Sequence, residues 1–332
     1  MKPKCLLVMT NFIGMDDIIL ENISKRYDAE SFIYSFDNQK FKYKNLLQRF
    51  TNLYQKLLGN SDYKKQLKNT VENERIQNEI KRKSGVYDLV LVFSIEYFNE
   101  KTLRSLKSVS KKMIGYQWDG LGRTPEIFGK INYFHKFYTF DPQDIDNKTI
   151  FFATNFYLDV PEVDIRANDT PIESDLLYIG TSTEDRLEKI KALIFEMRKH
   201  NKIFKVILLS YEDVDSIRKQ YPYEEITIIT KSMSYKETLK EVLKTRAILD
   251  LKLSVHDGLS FRFFESMKYK KKILTDNVTV KKYDFYNPEN IFVLENKNYE
   301  GLIGFLKNDY IEIDFNIYKK YGFSNWINYI FG

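Results

Sequence analysis

The chain has 332 residues, enough for two domains of ordinary size, and its 43% hydrophobic and 15% aromatic content supplies a substantial core, which excludes a disordered chain. Its 52 basic and 46 acidic residues give a net charge of +6, a mild excess that reads as spread along the chain and argues against a dedicated nucleic-acid binder. One cysteine, Cys5, excludes an intrachain disulfide framework or thiolate cluster.

The apolar run at 5–9, behind Lys2 and Lys4, is too short for a secretory signal, and no run approaches the roughly eighteen residues of a membrane span. The expectation is a cytoplasmic protein, at most peripherally held at the inner face of the cell membrane. Residues 5–10 read as a buried strand, followed by a loop with Gly14 and a helix from about Asp16 through Ile23. Such a loop is where a doubly wound domain places ligands, although Asp16 can equally cap the helix. Residues 30–36 read as a second strand.

From 42 to 83 a helical insertion follows, with Leu46, Leu47, Phe50, Leu53, Leu57 and Leu58 at helical spacing and a break near 59–62. Its basic face is either solvated or turned to lipid head groups or a polymeric acceptor. Residues 87–93 are a buried strand, 99–109 a helix and 112–117 a strand. Asp119 then falls past a strand's carboxyl end, as a turn-forming residue before Gly120 or as an acceptor-orienting residue or general base. A short strand at 137–141 and a last one at 151–157 close the first domain near 157, and 158–174 read as a linker.

The second half, 175–315, restarts with a strand into Gly180-Thr181 and a helix carrying Arg186; Thr181 either caps or contacts phosphate. Strands at 204–210 and 226–230, a helix at 235–244, a strand at 291–294 and a helix at 299–306 follow. The segment 316–332 includes an amphipathic stretch at 323–331 that is expected to return to the first domain. Asp213-Val214-Asp215 has metal-binding spacing but reads as a capping cluster, and three scattered histidines make no site, so no metal is expected. No phosphate-loop, nucleophile-elbow or zinc-helix motif occurs.

The sharpest stretch is the apolar run 247–251, then His256-Asp257-Gly258-Leu259-Ser260, then a helix from Ser260 to before Lys270, then a strand from Lys272. Strand, loop and helix aim backbone N–H groups and a helix's positive end at the loop, which suits phosphate oxygens. Arg262 adds a forked cation, and Glu265, one turn on, can accept two hydroxyls of a ribose or sugar. Arg262 and Glu265 can also simply pair.

Asp257-Gly258 followed by Glu265-Ser266-Met267 and Lys272-Ile273-Leu274 resembles the E-G-F-G-x-x-x-x-E-A-M-A-x-G-x-P-V-I pattern of GT-B glycosyltransferases. Asp257 replaces the first Glu, Ser260 a Gly, and Lys270-Lys271 stands where Gly-x-Pro is usual. The form G-L-S-x-R-x-x-E resembles a subgroup of polysaccharide and lipopolysaccharide transferases related to CgeB-like enzymes. Tyr116-Gln117-Trp118-Asp119, Thr139-Phe140-Asp141-Pro142 and Ile179-Gly180-Thr181 with Arg186 resemble further segments of that subgroup.

The resemblance implies an α/β chain of two Rossmann-like domains with parallel sheets facing a central cleft. It implies donor contacts from Thr181, Arg186, Gly258, Leu259, Ser260, Arg262, Glu265 and, with the base, Tyr235, beside Tyr211 and Met233. Asp119, His256 and Asp257 are the catalytic candidates. The implied activity moves a sugar from a nucleotide-sugar donor to a glycan or lipid-linked acceptor in bacterial surface polysaccharide synthesis, without cofactor, metal or nucleic acid. A nucleotide-sugar epimerase and a noncatalytic GT-B-shaped partner subunit are the alternatives.

Overall fold

The computed structural model describes residues 2–36, 42–59, 62–83, 85–159, 170–211, 214–295 and 298–332. Asp213, most of the expected linker and the centre of the break at 59–62 lie outside them. Two compact units form, one from residues 1–139, 144–152 and 331, the other from 140–143, 153–330 and 332.

In the first unit the elements are β1 (Lys4–Thr10), α1 (Met15–Ser24), β2 (Asp28–Tyr34), α2 (Leu46–Leu57), α3 (Tyr63–Arg82), β3 (Tyr87–Phe93), α4 (Glu100–Ser108), β4 (Ser110–Gln117), β5 (Lys136–Thr139) and β6 (Ile150–Phe152). The strands form one parallel sheet in the order β2-β1-β3-β4-β5-β6. Residues 5–9 of β1 and 90–93 of β3 are all fully buried. Unbroken apolar runs of this kind belong to strands covered on both faces, which is why they read as parallel rather than alternating.

In the second unit they are β7 (Ser174–Thr181), α5 (Glu184–Lys199), β8 (Phe204–Leu209), α6 (Val214–Gln220), β9 (Ile226–Ile229), α7 (Tyr235–Leu243), β10 (Thr245–Asp250), α8 (Phe261–Tyr269), β11 (Lys272–Thr275), β12 (Ile291–Val293), α9 (Leu302–Lys307), α10 (Phe315–Lys320) and α11 (Phe323–Phe331). This sheet is also parallel, in the order β12-β11-β10-β7-β8-β9. Alternation along the central strands divides its core. Leu176, Ala247 and Leu249 pack with Ile190 and Leu193 of α5 on one face. Leu177 and Ile248 pack with Phe263, Phe264 and Met267 of α8 on the other. Helices α5 and α8 therefore cover opposite faces of adjoining strands.

Several boundaries differ from expectation. The strand expected at 151–157 ends at Phe152, because Tyr157 leaves the first sheet to exchange backbone hydrogen bonds with Tyr321 and Phe323, at 3.1 and 2.9 Å. β2 lies two residues earlier than its apolar run suggested, in register with all of β1. The helix expected from 299 starts at Leu302, after Gly301 with φ 80°. α10 was not foreseen; its start is fixed by Asp314, whose carboxylate accepts from the N–H groups of Asn316 and Ile317 at 2.8 and 3.3 Å.

Lys270 closes α8 in the left-handed region, with φ 52°. That geometry normally selects glycine, because a Cβ there meets the following carbonyl. Lys270→Gly is therefore expected to stabilise the second unit by about 0.5–1 kcal/mol, net of the freedom glycine adds to the unfolded chain. Urea unfolding would show it as a higher midpoint at unchanged slope, and a lower midpoint would refute the strain argument.

Candidate functional site

A doubly wound sheet opens a crevice at the carboxyl ends of its strands where the strand order reverses. In the second unit that point lies between β7 and β10, which pair through Thr245–Ser174, Ala247–Leu176 and Ile248–Leu177. The loops leaving these two strands carry both phosphate-friendly motifs, although about seventy residues separate them in sequence.

Arg186, in the first turn of α5, ties the two loops together. Its Nη2 donates to the Leu251 carbonyl at 2.8 Å and its Nη1 to Thr181 Oγ1 at 3.2 Å. Ser260 Oγ accepts from the Arg262 N–H at 3.1 Å, capping α8, and donates to Asp250 at 2.6 Å. Burial pushes the Asp250 carboxyl above its usual range, against the opposing effects of the Ser260 hydroxyl and of Arg186. Arg262 pairs with Glu265, which is only 2% exposed. Burial works against the Arg262 charge, but Glu265, Tyr235 and Asp250 more than offset it and hold the guanidinium above its ordinary pKa. Thr181, Arg186, Tyr235, Ser260, Arg262 and Glu265 thus belong to one electrostatically linked group. Two buried polar atoms beside them, the Tyr178 hydroxyl and Arg186 Nε, have no hydrogen-bond partner among the described residues. Arg186 lies beside the Tyr178 hydroxyl and opposes the rise that burial gives it, so the two groups face each other at the junction.

The preceding loop is braced rather than free. Asp257 accepts from Lys252 and from Gln143, and the Lys252 ammonium holds its carboxyl below the usual range. Its N–H donates to Asp141 Oδ1 at 3.2 Å, and Asn277 Nδ2 donates to the carbonyls of Asp257 and Gly258, each at 3.3 Å. A Cβ at Gly258 would lie 2.5 Å from the Phe140 ring and 2.7 Å from the Phe140 carbonyl oxygen. The glycine therefore permits a close packing contact. The Leu259 side chain is buried in the core, and its carbonyl accepts from Asn155 at 2.9 Å. His256 packs on the Phe140 ring, with centroids 4.9 Å apart. Tyr211 is 78% exposed.

The first unit has its own reversal, between β1 and β3, where three residues take the left-handed backbone: Ile13 at φ 47°, Gly14 at 80° and Ser94 at 52°. A branched side chain in that region is strained, and such strain collects at functional sites. Phe12, Trp118 and Phe93 pack in series as tilted pairs, with centroids 5.4 and 5.0 Å apart. Asp119 pairs with Arg123 at 3.0 Å and remains 44% exposed. Asp16 does not cap α1, whose N-cap is Gly14; it is buried, and burial raises its carboxyl. Glu96, just past β3, is raised mainly by burial, with Asp119 adding to the rise, while Gln117 Nε2 donates to it at 3.1 Å.

No protein-family model and no curated relative matches the sequence. Solved structures are similar over nearly the whole chain. The N-terminal domain of Candida albicans trehalose-6-phosphate phosphatase gives a TM-score of 0.60 at 10% identity, covering 100% of this chain and 97% of that one. An alpha-glucosyltransferase in complex with UDP-glucose and DNA containing an abasic site gives 0.56 at 12% identity, covering 100% and 95%.

The chain has the GT-B fold. The UDP-N-acetylglucosamine 2-epimerase of Rickettsia bellii shares it, with a TM-score of 0.50 at 11% identity and coverage of 100% and 96%. A transferase and an epimerase on one architecture show that GT-B geometry alone does not name a reaction, so function must be argued from the site.

Four site residues of this GT-B chain went unread in its sequence: Asp16 as a buried acid, Glu96, Tyr178 and Asp250. Asp250 did carry a signal, being the sole charge in the apolar run 247–251. Glu96 follows a wholly apolar strand end by three residues. Nothing local distinguishes Tyr178 among 24 tyrosines.

Proposed function

We propose that the protein is a nucleotide-sugar-dependent glycosyltransferase. The observation that carries this reading is the junction at β7 and β10, where two helix starts from opposite sheet faces, each contributing an arginine, meet around buried polar groups. In this reading Arg186, Ser260 and Arg262 hold the donor diphosphate, with Thr181 and the main chain of Gly258 and Leu259 beside them. Glu265 Oε1 accepts from the ribose, and Tyr235 lies towards the base. Charge developing on the leaving diphosphate is met by the amino ends of α5 and α8 and by the two arginines. In the first unit the candidate bases for an acceptor proton are Asp119 and Glu96, and burial raises the carboxyl of Glu96, which suits it to that task. Asp257 and His256 act by fixing the donor loop. The acceptor is a glycan or a lipid-linked glycan of a bacterial surface polysaccharide, in line with the resemblance to CgeB-like transferases.

Epimerisation is the second reading, favoured by the likeness to the Rickettsia bellii enzyme. A noncatalytic partner is disfavoured by the presence of Arg186, Arg262 and Glu265 together at the junction.

The test is a thermal-shift panel of UDP, GDP, CMP, CDP, ADP and their sugars on wild type and on Glu265→Ala. Ligand at about a hundred times its dissociation constant stabilises the folded state by about 2.7 kcal/mol. One nucleotide is expected to shift wild type by several degrees and Glu265→Ala by far less, relative to each protein's own baseline. If no nucleotide shifts wild type, the donor reading fails. Proton NMR of the bound sugar-nucleotide then separates the reactions, since an inverted ring carbon without nucleotide release would establish the epimerase.

A further inference from the structure

Helix α2 is turned inside out. Leu46, Leu47, Phe50, Leu53, Leu57 and Leu58 recur at the spacing of a single helical face, and a helix on a water-facing surface normally turns such a face inward. Here all six are between 57% and 79% exposed. The buried residue of α2 is Asn52, on the opposite side, flanked by half-buried Gln48, Thr51 and Gln55. Isolated exposed leucines need no explanation, but six on one helical face form a contiguous apolar patch of the kind that marks an interaction surface.

The same segment holds the chain's excess charge. Residues 42–68 contain seven lysines and arginines against Asp62 alone, a net +6 that equals the formal charge of the whole chain. The remainder is balanced, so the excess is concentrated rather than spread as composition suggested. Arg49 and Lys56, seven residues apart, run along one edge of the apolar face, and both are exposed. Lys64, Lys65 and Lys68 follow at the start of α3.

The geometry points to an anionic lipid bilayer as the occupant of this face, with α2 lying in the plane of the interface. Its apolar side chains enter the boundary between head groups and acyl chains, and the flanking cations meet lipid phosphates. Twelve residues are too few to cross, and no helix among the described residues is long and apolar enough to do so. A second copy of the chain is disfavoured, because pairing would bring two strongly basic segments together. The inference stands on α2 and its flanks and does not depend on the donor site.

The experiment is co-sedimentation of the full chain with vesicles of phosphatidylcholine, alone or with phosphatidylglycerol, at low and high salt. Binding is expected with phosphatidylglycerol at low salt, and to be at least about tenfold weaker without it or at high salt. Leu53→Gln with Leu57→Gln is expected to weaken it at least about tenfold while leaving the melting temperature unchanged, both side chains being in water. An environment-sensitive fluorophore at Phe50→Cys reads insertion directly, because Cys5 is fully buried and burial pushes its thiol up to about 12. A blue shift on anionic vesicles supports the proposal. Absent binding overturns it, as does binding indifferent to the leucine changes or without a blue shift. Concentration-dependent dimerisation abolished by the same leucine changes would assign the face to a second copy and also overturn it.

Discussion

Arg262→Ala is expected to unfold the second unit at markedly lower denaturant than wild type. The substitution leaves Glu265, 2% exposed, as a buried carboxylate without its cation. Breaking a buried pair from one side costs about 3–5 kcal/mol, because the surviving charge keeps its desolvation penalty and loses its compensation. Glu265→Ala is expected to cost a similar amount for the converse reason. Removing both, as Arg262→Met with Glu265→Leu, should cost less than either single change, since no charge then remains buried. Urea unfolding of the four proteins tests this order of stabilities. All three variants are expected to lose donor binding. If Arg262→Ala is as stable as wild type, the pair is not buried and the account of Glu265 as a held, oriented acceptor fails.

The second large effect is expected at Gly258. A methyl group there would stand 2.5 Å from two Phe140 ring carbons and 2.7 Å from the Phe140 carbonyl oxygen. A ring can rotate away, but a backbone carbonyl cannot without moving its chain. The loop cannot easily retreat either, since Asn277 holds the carbonyls of Asp257 and Gly258 and Leu259 is anchored in the core. Gly258→Ala should therefore cost about 1–3 kcal/mol, as forced overpacking does. A shift of the loop by about 1 Å would also displace Ser260 and Arg262 and reduce turnover by about 10²-fold. Phe140→Ala in the same chain removes the ring from the clash and leaves the carbonyl, so partial recovery of stability is expected. A Gly258→Ala protein within about 0.5 kcal/mol of wild type would show that the loop yields freely.

Much of this site was legible because its signals are local. α8 begins right after Ser260 and ends at Tyr269, before Lys270, as its helical spacing implied. Arg262 and Glu265, three apart, had two readings, and the structure forms the pair that simple helical spacing allowed. Illegible were the partners contributed from afar: Asp141 and Gln143 at Asp257, Phe140 at Gly258, and Asn155 at Leu259. None of these contacts has a signature in composition or spacing, because each joins positions more than a hundred residues apart.

What the sequence by itself determined was the kind of element and the class of fold. Buried apolar runs of strand length, separated by helical periods, dictate parallel sheets, and turn and cap chemistry places the loops at strand ends. Tertiary structure alone decided which loops meet, because that depends on strand order: β7 and β10 are neighbours only after the chain has travelled out through β8 and β9 and returned. It also decided which way a face points. The period of α2 fixes that it has an apolar side; whether that side is buried depends on what the rest of the chain offers to cover it, and here the chain packs against Asn52 instead.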